Sequence, residues 1–253
     1  MMPANSGAAM PTGVCIVELN PRIEAYRAAR SAVLGRIAAA SRRAGRDPAG
    51  VTLVAVSKTV EAEALRDAVA AGLGLLGENR VQEAAVKVPL VPGARWHLVG
   101  PLQANKVRRA LEVFDAIESV DSVGLAERID RLVREVRPAV RYPILLQVNV
   151  DTDPAKAGLD PSELPASTAR IVELEALEVR GLMTIGRLVA DAEAARPTFR
   201  RLRELSAALR SGGLPIGPEL SMGMTDDFEV AVEEGATIVR VGRAIFGERH
   251  HPD

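Results

Sequence analysis

The sequence predicts an α/β fold: a single (β/α)8 TIM-type barrel with an additional N-terminal helix. Three observations predict it. Short apolar runs alternate with amphipathic helical patterns eight times within 253 residues, the size and order of such a barrel. The runs are apolar on both faces, as strands of a parallel sheet covered by helices must be. No G-x-G-x-x-G follows the first run, which argues against the rival, an open doubly wound sheet.

The elements follow in order. Asn20 can cap the first helix and Pro21 suits its first position. Ile23, Tyr26, Val33 and Ile37 then recur at helical spacing, and "RRAGRDPAG" ends the helix with glycine and proline. Strands are expected at 52–57, 74–77, 95–99, 116–118, 144–150, 178–183, 219–220 and 237–241, the seventh being very short. Helical patterns lie between them, such as Leu125, Ile129, Leu132, Val133 and Val136, or Phe199, Leu202, Leu205 and Leu209. Gly72 and Gly235 stand where helix C-caps are needed. No linker divides the chain, so residues 19–253 read as one barrel domain and residues 1–18 as a disordered tail.

Composition removes several classes of function. Formal net charge is -1 and aromatics are 3%, which gives neither a basic surface nor stacking platforms for nucleic acid. The basic cluster Lys106, Arg108 and Arg109 faces away from Val107, Ala110, Leu111 and Phe114, as a solvated helix face does. No apolar run has the length of a membrane span, and "MMPANSGAAMPTG" lacks the pattern of a secretory signal. Cys15 is the single cysteine, which is compatible with a reducing, cytoplasmic setting and leaves no disulfide framework. The histidines are His97, His250 and His251, too few and too scattered for an internal metal site.

Barrel chemistry sits at the C-terminal ends of strands. There the sequence offers Lys58, then Gly77-Glu78-Asn79, Gly100-Pro101-Leu102-Gln103, Ser119 with Asp121, Gln147 with Asn149, Met183-Thr184, Ser221-Met222-Gly223-Met224-Thr225, and Arg240 with Gly242. Lys58 closes an apolar strand. Burial disfavours the charged form of an amine, and a neutral amine attacks an aldehyde. The alternative is a lysine that snorkels out of the mouth into water. Lys156, beyond the fifth strand, reads as a solvated loop lysine that could assist at the mouth.

Gly223 and Gly242 permit close approach of backbone to a ligand, and Ser221 and Thr225 add hydroxyls. The loops after the last two strands are where barrels commonly hold phosphate. Thr225-Asp226-Asp227 resembles a helix start, with Asp226 and Glu229 spaced as a capping box. Arg240 alternates with Gly242 and points into the barrel, where it needs an internal carboxylate or a group on a ligand. His97 lies between Trp96 and Leu98, either lining a pocket or packed in the core. A strand-end lysine, a phosphate cradle and a buried arginine together suggest pyridoxal 5'-phosphate (PLP).

At these residues the chain resembles the YggS/PROSC family, the pyridoxal phosphate homeostasis proteins. The stretches that carry the likeness are "LVAVSKTV", "LGENRVQE", "WHLVGPLQANK", "SVDS", "QVNVDTDPAKAGL", "GLMTIG", "LSMGMTDDFEVAVEEG" and "TIVRVGRAIFG". They run from Leu53 to Gly247 in family order. The resemblance implies a barrel similar to the N-terminal domain of alanine racemase, a fold-type III PLP-binding architecture. It implies that Lys58 carries PLP as an internal aldimine, that Asn79 lies beside it and that Met183 lines the pocket. Ser221, Gly242 and neighbouring backbone would hold the phosphate, and Arg240 would face the pyridine nitrogen. Two positions depart from the family: Arg243 replaces a small hydroxyl residue, where it could add a charge contact to phosphate, and Arg80 replaces a tyrosine.

The implied role is PLP binding in intracellular vitamin B6 homeostasis, with indirect effects on amino-acid metabolism and no established catalysis. PLP-dependent apoenzymes are the implied recipients. An arginine at the pyridine nitrogen acts as a donor, which leaves the ring a poorer electron sink. Racemisation needs an acid and a base on opposite faces of the substrate. Alanine racemase draws a tyrosine from a second domain and partner chain. Here the chain ends at Asp253, and Tyr26 and Tyr142 are not placed as facing bases. A monomer is expected. The alternative is a fold-type III enzyme such as a racemase or decarboxylase.

Overall fold

The computed structural model describes residues 20–186 and 191–248. The expected tail, residues 1–18, and the two C-terminal histidines lie outside the described residues. Eight strands alternate with helices: β1 (Thr52–Val56), β2 (Leu75–Glu78), β3 (Arg95–Leu98), β4 (Ala116–Val120), β5 (Tyr142–Gln147), β6 (Leu177–Met183), β7 (Glu219–Ser221) and β8 (Ile238–Val241). They form a closed barrel in the order β1-β2-β3-β4-β5-β6-β7-β8. All pairs are parallel, and β8 closes on β1 with Val54 opposite Arg240. This is the expected (β/α)8 barrel. β5 begins earlier than expected because Pro143 is tolerated near a strand start, and it ends before Val148, which forms only an isolated bridge to Leu159.

Along β1, β2 and β8 the inward residues alternate, as strand geometry requires. Val54, Leu75, Val99, Leu145, Met183 and Ile238 fill the bore as one apolar cluster. A larger apolar layer, including Leu65, Leu76, Trp96, Ile117, Ile129 and Phe199, lies between strands and helices.

The outer helices are α1 (Pro21–Arg43), α2 (Ala62–Ala70), α3 (Val81–Lys87), α4 (Val107–Val113), α5 (Val123–Val136), α6 (Leu164–Val172), α7 (Arg196–Ser211), α8 (Phe228–Glu233) and α9 (Arg243–Phe246). The Asn20 side chain accepts from the Arg22 N–H, and Pro21 opens α1 as its sequence demands. This extra helix packs on α2, α8 and α9, across the seam where β8 meets β1. It buries Val33 and Ile37, each 2% exposed. Burial of each stabilises by about 1.5–3 kcal/mol. Arg36 adds two hydrogen bonds to Glu229, at 3.0 and 2.8 Å, and lies 4.4 Å from the Phe228 ring centroid. Substituting Ile37 by a charged residue would bury an unpaired charge and weaken this docking.

That docking overturns the expected capping box. Glu229 is taken by Arg36, and Asp226 pairs with Arg243. α8 instead starts after Asp227, whose carboxylate accepts the Met224 N–H at 2.6 Å and so ties the loop to itself. The basic face of α4 is as expected: Arg108 pairs with Glu135 and Arg109 with Glu112, while Val107, Ala110 and Leu111 are buried.

Candidate functional site

Lys58 follows Val54 and Val56 on the inward face of β1 and stands at the C-terminal mouth. The turn that carries it is strained: Thr59 has φ 67°, a left-handed conformation unusual for a β-branched residue. A buried charge network outside the barrel holds this turn. The Lys87 Nζ donates to the Ser57 carbonyl at 2.9 Å, to Glu78 at 2.8 Å and to Glu83 at 2.6 Å. Glu83 in turn accepts the Thr59 N–H at 2.7 Å. Burial pushes the Glu78 carboxyl above its usual range, and the Lys87 amine only partly opposes this. Burial also pushes on Glu83, but Lys87 and the Thr59 N–H outweigh it and hold that carboxyl below its usual range. The sequence reading missed this network. Its signal was Glu78, a carboxylate ending the apolar strand "GLGLLGE".

Lys58 and the loop after β8 share one cavity of about 260 Å³, lined by Val56, Lys58, Thr59, Gly242, Arg243 and Phe246 among others. Gly242 relieves crowding there, because a Cβ would lie 3.3 Å from the Val56 carbonyl oxygen. Gly223, at φ 90°, is required for a different reason: a Cβ would fall 2.5 Å from the Ala231 Cβ. Met183, fully buried, belongs to the apolar layer within the bore.

Arg240 is 4% exposed. Its Nη1 donates to the Ser221 hydroxyl at 2.6 Å and its Nη2 to the Thr184 carbonyl at 2.7 Å. The internal carboxylate that the sequence asked for is Glu118, reached through Ser221, whose hydroxyl donates to it at 2.5 Å. Burial lowers the Arg240 pKa, with Glu118 and Asp227 opposing. The one proton of the Ser221 hydroxyl is therefore engaged inside the barrel, and donating it to a phosphate would cost the Glu118 bond.

Other expected residues stand apart. Asn79 lines a neighbouring cavity of about 570 Å³ with Arg80, Gln82, Gln103 and Lys106, rather than the Lys58 cavity. Thr225 is half-buried and does not line the Lys58 cavity. Arg243 lines that cavity, yet its guanidinium is turned to Asp226. Lys156 is no solvated loop lysine: its amine donates to the carbonyls of Ile185 and Gly186 at 3.2 and 2.7 Å. Tyr142 is buried with its hydroxyl donating to the Phe114 carbonyl, and Tyr26 meets the edge of Phe246 from outside. His97 both lines a cavity at the opposite end of the barrel and bonds Glu118.

The donor set fits PLP: an amine at a strand end, a glycine that admits backbone beside it, and a buried guanidinium. Two hydrogen bonds use two of that guanidinium's five N–H donors, and among the described residues no carboxylate pairs with it directly.

A family model, the N-terminal domain of alanine racemase, matches residues 30–250. A Pseudomonas aeruginosa protein named pyridoxal phosphate homeostasis protein is 45% identical over 227 residues, covering 87% of this chain and 94% of that one. An Aquifex aeolicus protein of the same name is 41% identical over 223 residues, covering 87% and 97%. The structure of PipY from Synechococcus elongatus with PLP bound superposes with a TM-score of 0.74 at 42% identity, covering 85% of this chain and 100% of that one.

Proposed function

The chain belongs to the pyridoxal phosphate homeostasis proteins, and we propose on that basis that it binds PLP at the barrel mouth and holds it for cellular supply. The observation that carries this reading is the single cavity shared by Lys58 and the Gly242 loop. Lys58 anchors the cofactor covalently. Backbone at Gly242, with the loop shaped by Gly223, receives the phosphate. Arg240 donates to the ring nitrogen, and Met183 closes the bore beneath. Ser221 serves through Arg240. Asn79 and Thr225 contribute at the rim, and Arg243 tethers the phosphate loop to Asp226.

Bound PLP supplies an electrophile and an electron sink. Arginine stays protonated at accessible pH, so Arg240 gives the ring nitrogen a hydrogen bond and no proton. That weakens the sink and favours holding over turnover. Catalysis also needs proton carriers on both faces of a substrate. Tyr142 is locked to Phe114, and Tyr26 lies behind Phe246. We take the protein to act as a monomer. No helix among the described residues is long and apolar enough to cross a membrane. We place the protein in the cytoplasm, where PLP-dependent apoenzymes are the recipients.

Purified protein incubated with PLP is expected to show the visible band of a lysine-bound cofactor. Lys58→Ala is expected to lose it, and borohydride reduction followed by peptide mass analysis is expected to mark Lys58. A wild-type chain without the band overturns the reading. Rapid exchange of amino-acid Cα hydrogens in deuterated buffer, at the turnover of ordinary enzymes, overturns the non-enzyme part alone.

A further inference from the structure

Four polar side chains from four strands form one continuous line inside the barrel. His97 on β3 donates from Nδ1 to Glu118 Oε1 at 2.6 Å. Glu118 on β4 accepts the Ser221 hydroxyl at its other oxygen, at 2.5 Å. Ser221 on β7 accepts from Arg240 on β8 at 2.6 Å. Strands β4 and β7 are three apart in the closed ring, so the Glu118–Ser221 bond spans the bore. Glu118 and Ser221 are both 0% exposed.

Packing alone does not call for this arrangement. The bore around it is filled by aliphatic side chains and methionine, which would serve equally well to close the barrel. A carboxylate without solvent contact is costly unless every oxygen is engaged. Here each oxygen has its own partner. The Ser221 hydroxyl, donating on one side and accepting on the other, cannot rotate without breaking a bond. The Arg240 guanidinium is thereby fixed at two nitrogens, by Ser221 and by the Thr184 carbonyl, with its remaining donors left for a ligand. Burial pushes the Glu118 carboxyl up, but His97, Arg240 and Ser221 together hold it below its usual range, so it carries the negative charge opposite Arg240.

We propose that Glu118 is the positioning residue for Arg240: it orients the guanidinium through Ser221 and offsets its charge, while His97 holds the second oxygen. The inference rests on the cofactor reading, because Arg240 is the residue that meets the ring nitrogen there. Glu118 touches no ligand atom itself. Its effect reaches the cofactor as a fixed donor direction and a balanced local charge.

Glu118→Gln keeps the shape and a hydrogen-bond acceptor for Ser221 but removes the charge. The guanidinium then keeps only Asp227 to offset it, which leaves more positive charge at the site and disfavours a protonated lysine–cofactor linkage. The pH at which the visible band changes should fall, by less than the roughly 1–3 units of a charge in direct contact. The affinity for PLP should fall with it. The other charged groups nearby, Asp227 on one side and Glu219, Arg95 and Arg180 on the other, are left as they are. The experiment is a spectroscopic pH titration of PLP-loaded wild type and Glu118→Gln, with thermal melts alongside. A midpoint within about 0.2 unit of wild type, with unchanged affinity and only a lower melting temperature, overturns the proposal. If Glu118→Gln does not fold, Ser221→Ala carries the test, since it keeps every charge but cuts the link. Weaker PLP binding and a displaced band then support the proposal, and an unchanged band and affinity overturn it. A wild-type chain with no band sinks the cofactor reading instead, so the two failures are distinct.

Discussion

Replacing Lys87 by methionine tests the network that holds the Lys58 turn. The Lys87 side chain is 9% exposed and that of Glu78 0%, so the substitution strands a carboxylate with no route to water. Glu83, 26% exposed, can turn outward. Removing one partner of a buried pair costs about 3–5 kcal/mol. At about 2–4 °C per kcal/mol for a chain of this size, the melting temperature should drop by about 6–20 °C at pH 8. The pH dependence has a definite sign. The Glu78 carboxyl already titrates above its usual range because burial outweighs Lys87 and Ser57. The folded state therefore binds its proton more readily than the unfolded chain, and ionised Glu78 weighs against folding as pH rises. Without Lys87 the carboxyl rises further. Acid neutralises the stranded charge, so the variant's deficit should shrink as pH falls from 8 toward about 5. Adding Glu78→Gln to Lys87→Met should recover more than half of the loss. Circular-dichroism melts across this pH range check all three statements. A drop under about 2 °C at pH 8, or an equal deficit at both ends of the range, would refute the reasoning.

Three further outcomes are expected. Gly223→Ala forces a side chain into the left-handed region and against Ala231 and Phe228, so melting should reveal a loss of about 1–3 kcal/mol, with weaker PLP binding by titration. Tyr142→Phe removes a buried donor 2.8 Å from the Phe114 carbonyl and should cost about 0.5–1.5 kcal/mol in urea denaturation. Arg243→Ala breaks an exposed pair with Asp226, so stability and PLP affinity should stay within about 1 kcal/mol of wild type; a larger loss of affinity would mean that the guanidinium leaves Asp226 for phosphate.

The barrel was legible in the chain because parallel strands buried on both faces leave unbroken apolar runs, and glycines close the helices between them. Lys58, Gly242 and Arg240 were legible because strand alternation fixes which residues face inward. What the sequence concealed lies between elements that are distant along the chain. Glu118 and Ser221 are 103 residues apart, and no local pattern pairs them. Ser221, expected at the phosphate, has its hydroxyl bonded to Glu118 and Arg240 within the bore. The Asp226–Glu229 spacing satisfied a local rule that a helix 193 residues earlier overrides, through Arg36. Asn79, placed beside the cofactor by resemblance, lines the cavity next to that of Lys58.

The Lys58 cavity draws its walls from Val56 to Val60 and from Gly242 to Glu248. Between them lies almost the whole barrel. During synthesis the first wall emerges many seconds before the second, at about 5–20 residues per second. A nascent chain that stops short of β8 has its lysine and no cradle. The α1 helix adds to this ordering, since its docking surface on α8 and α9 also arrives last. The cavity is thus complete only when the seam closes: under the proposed reading, a chain short of β8 offers its lysine without the Gly242 wall beside it.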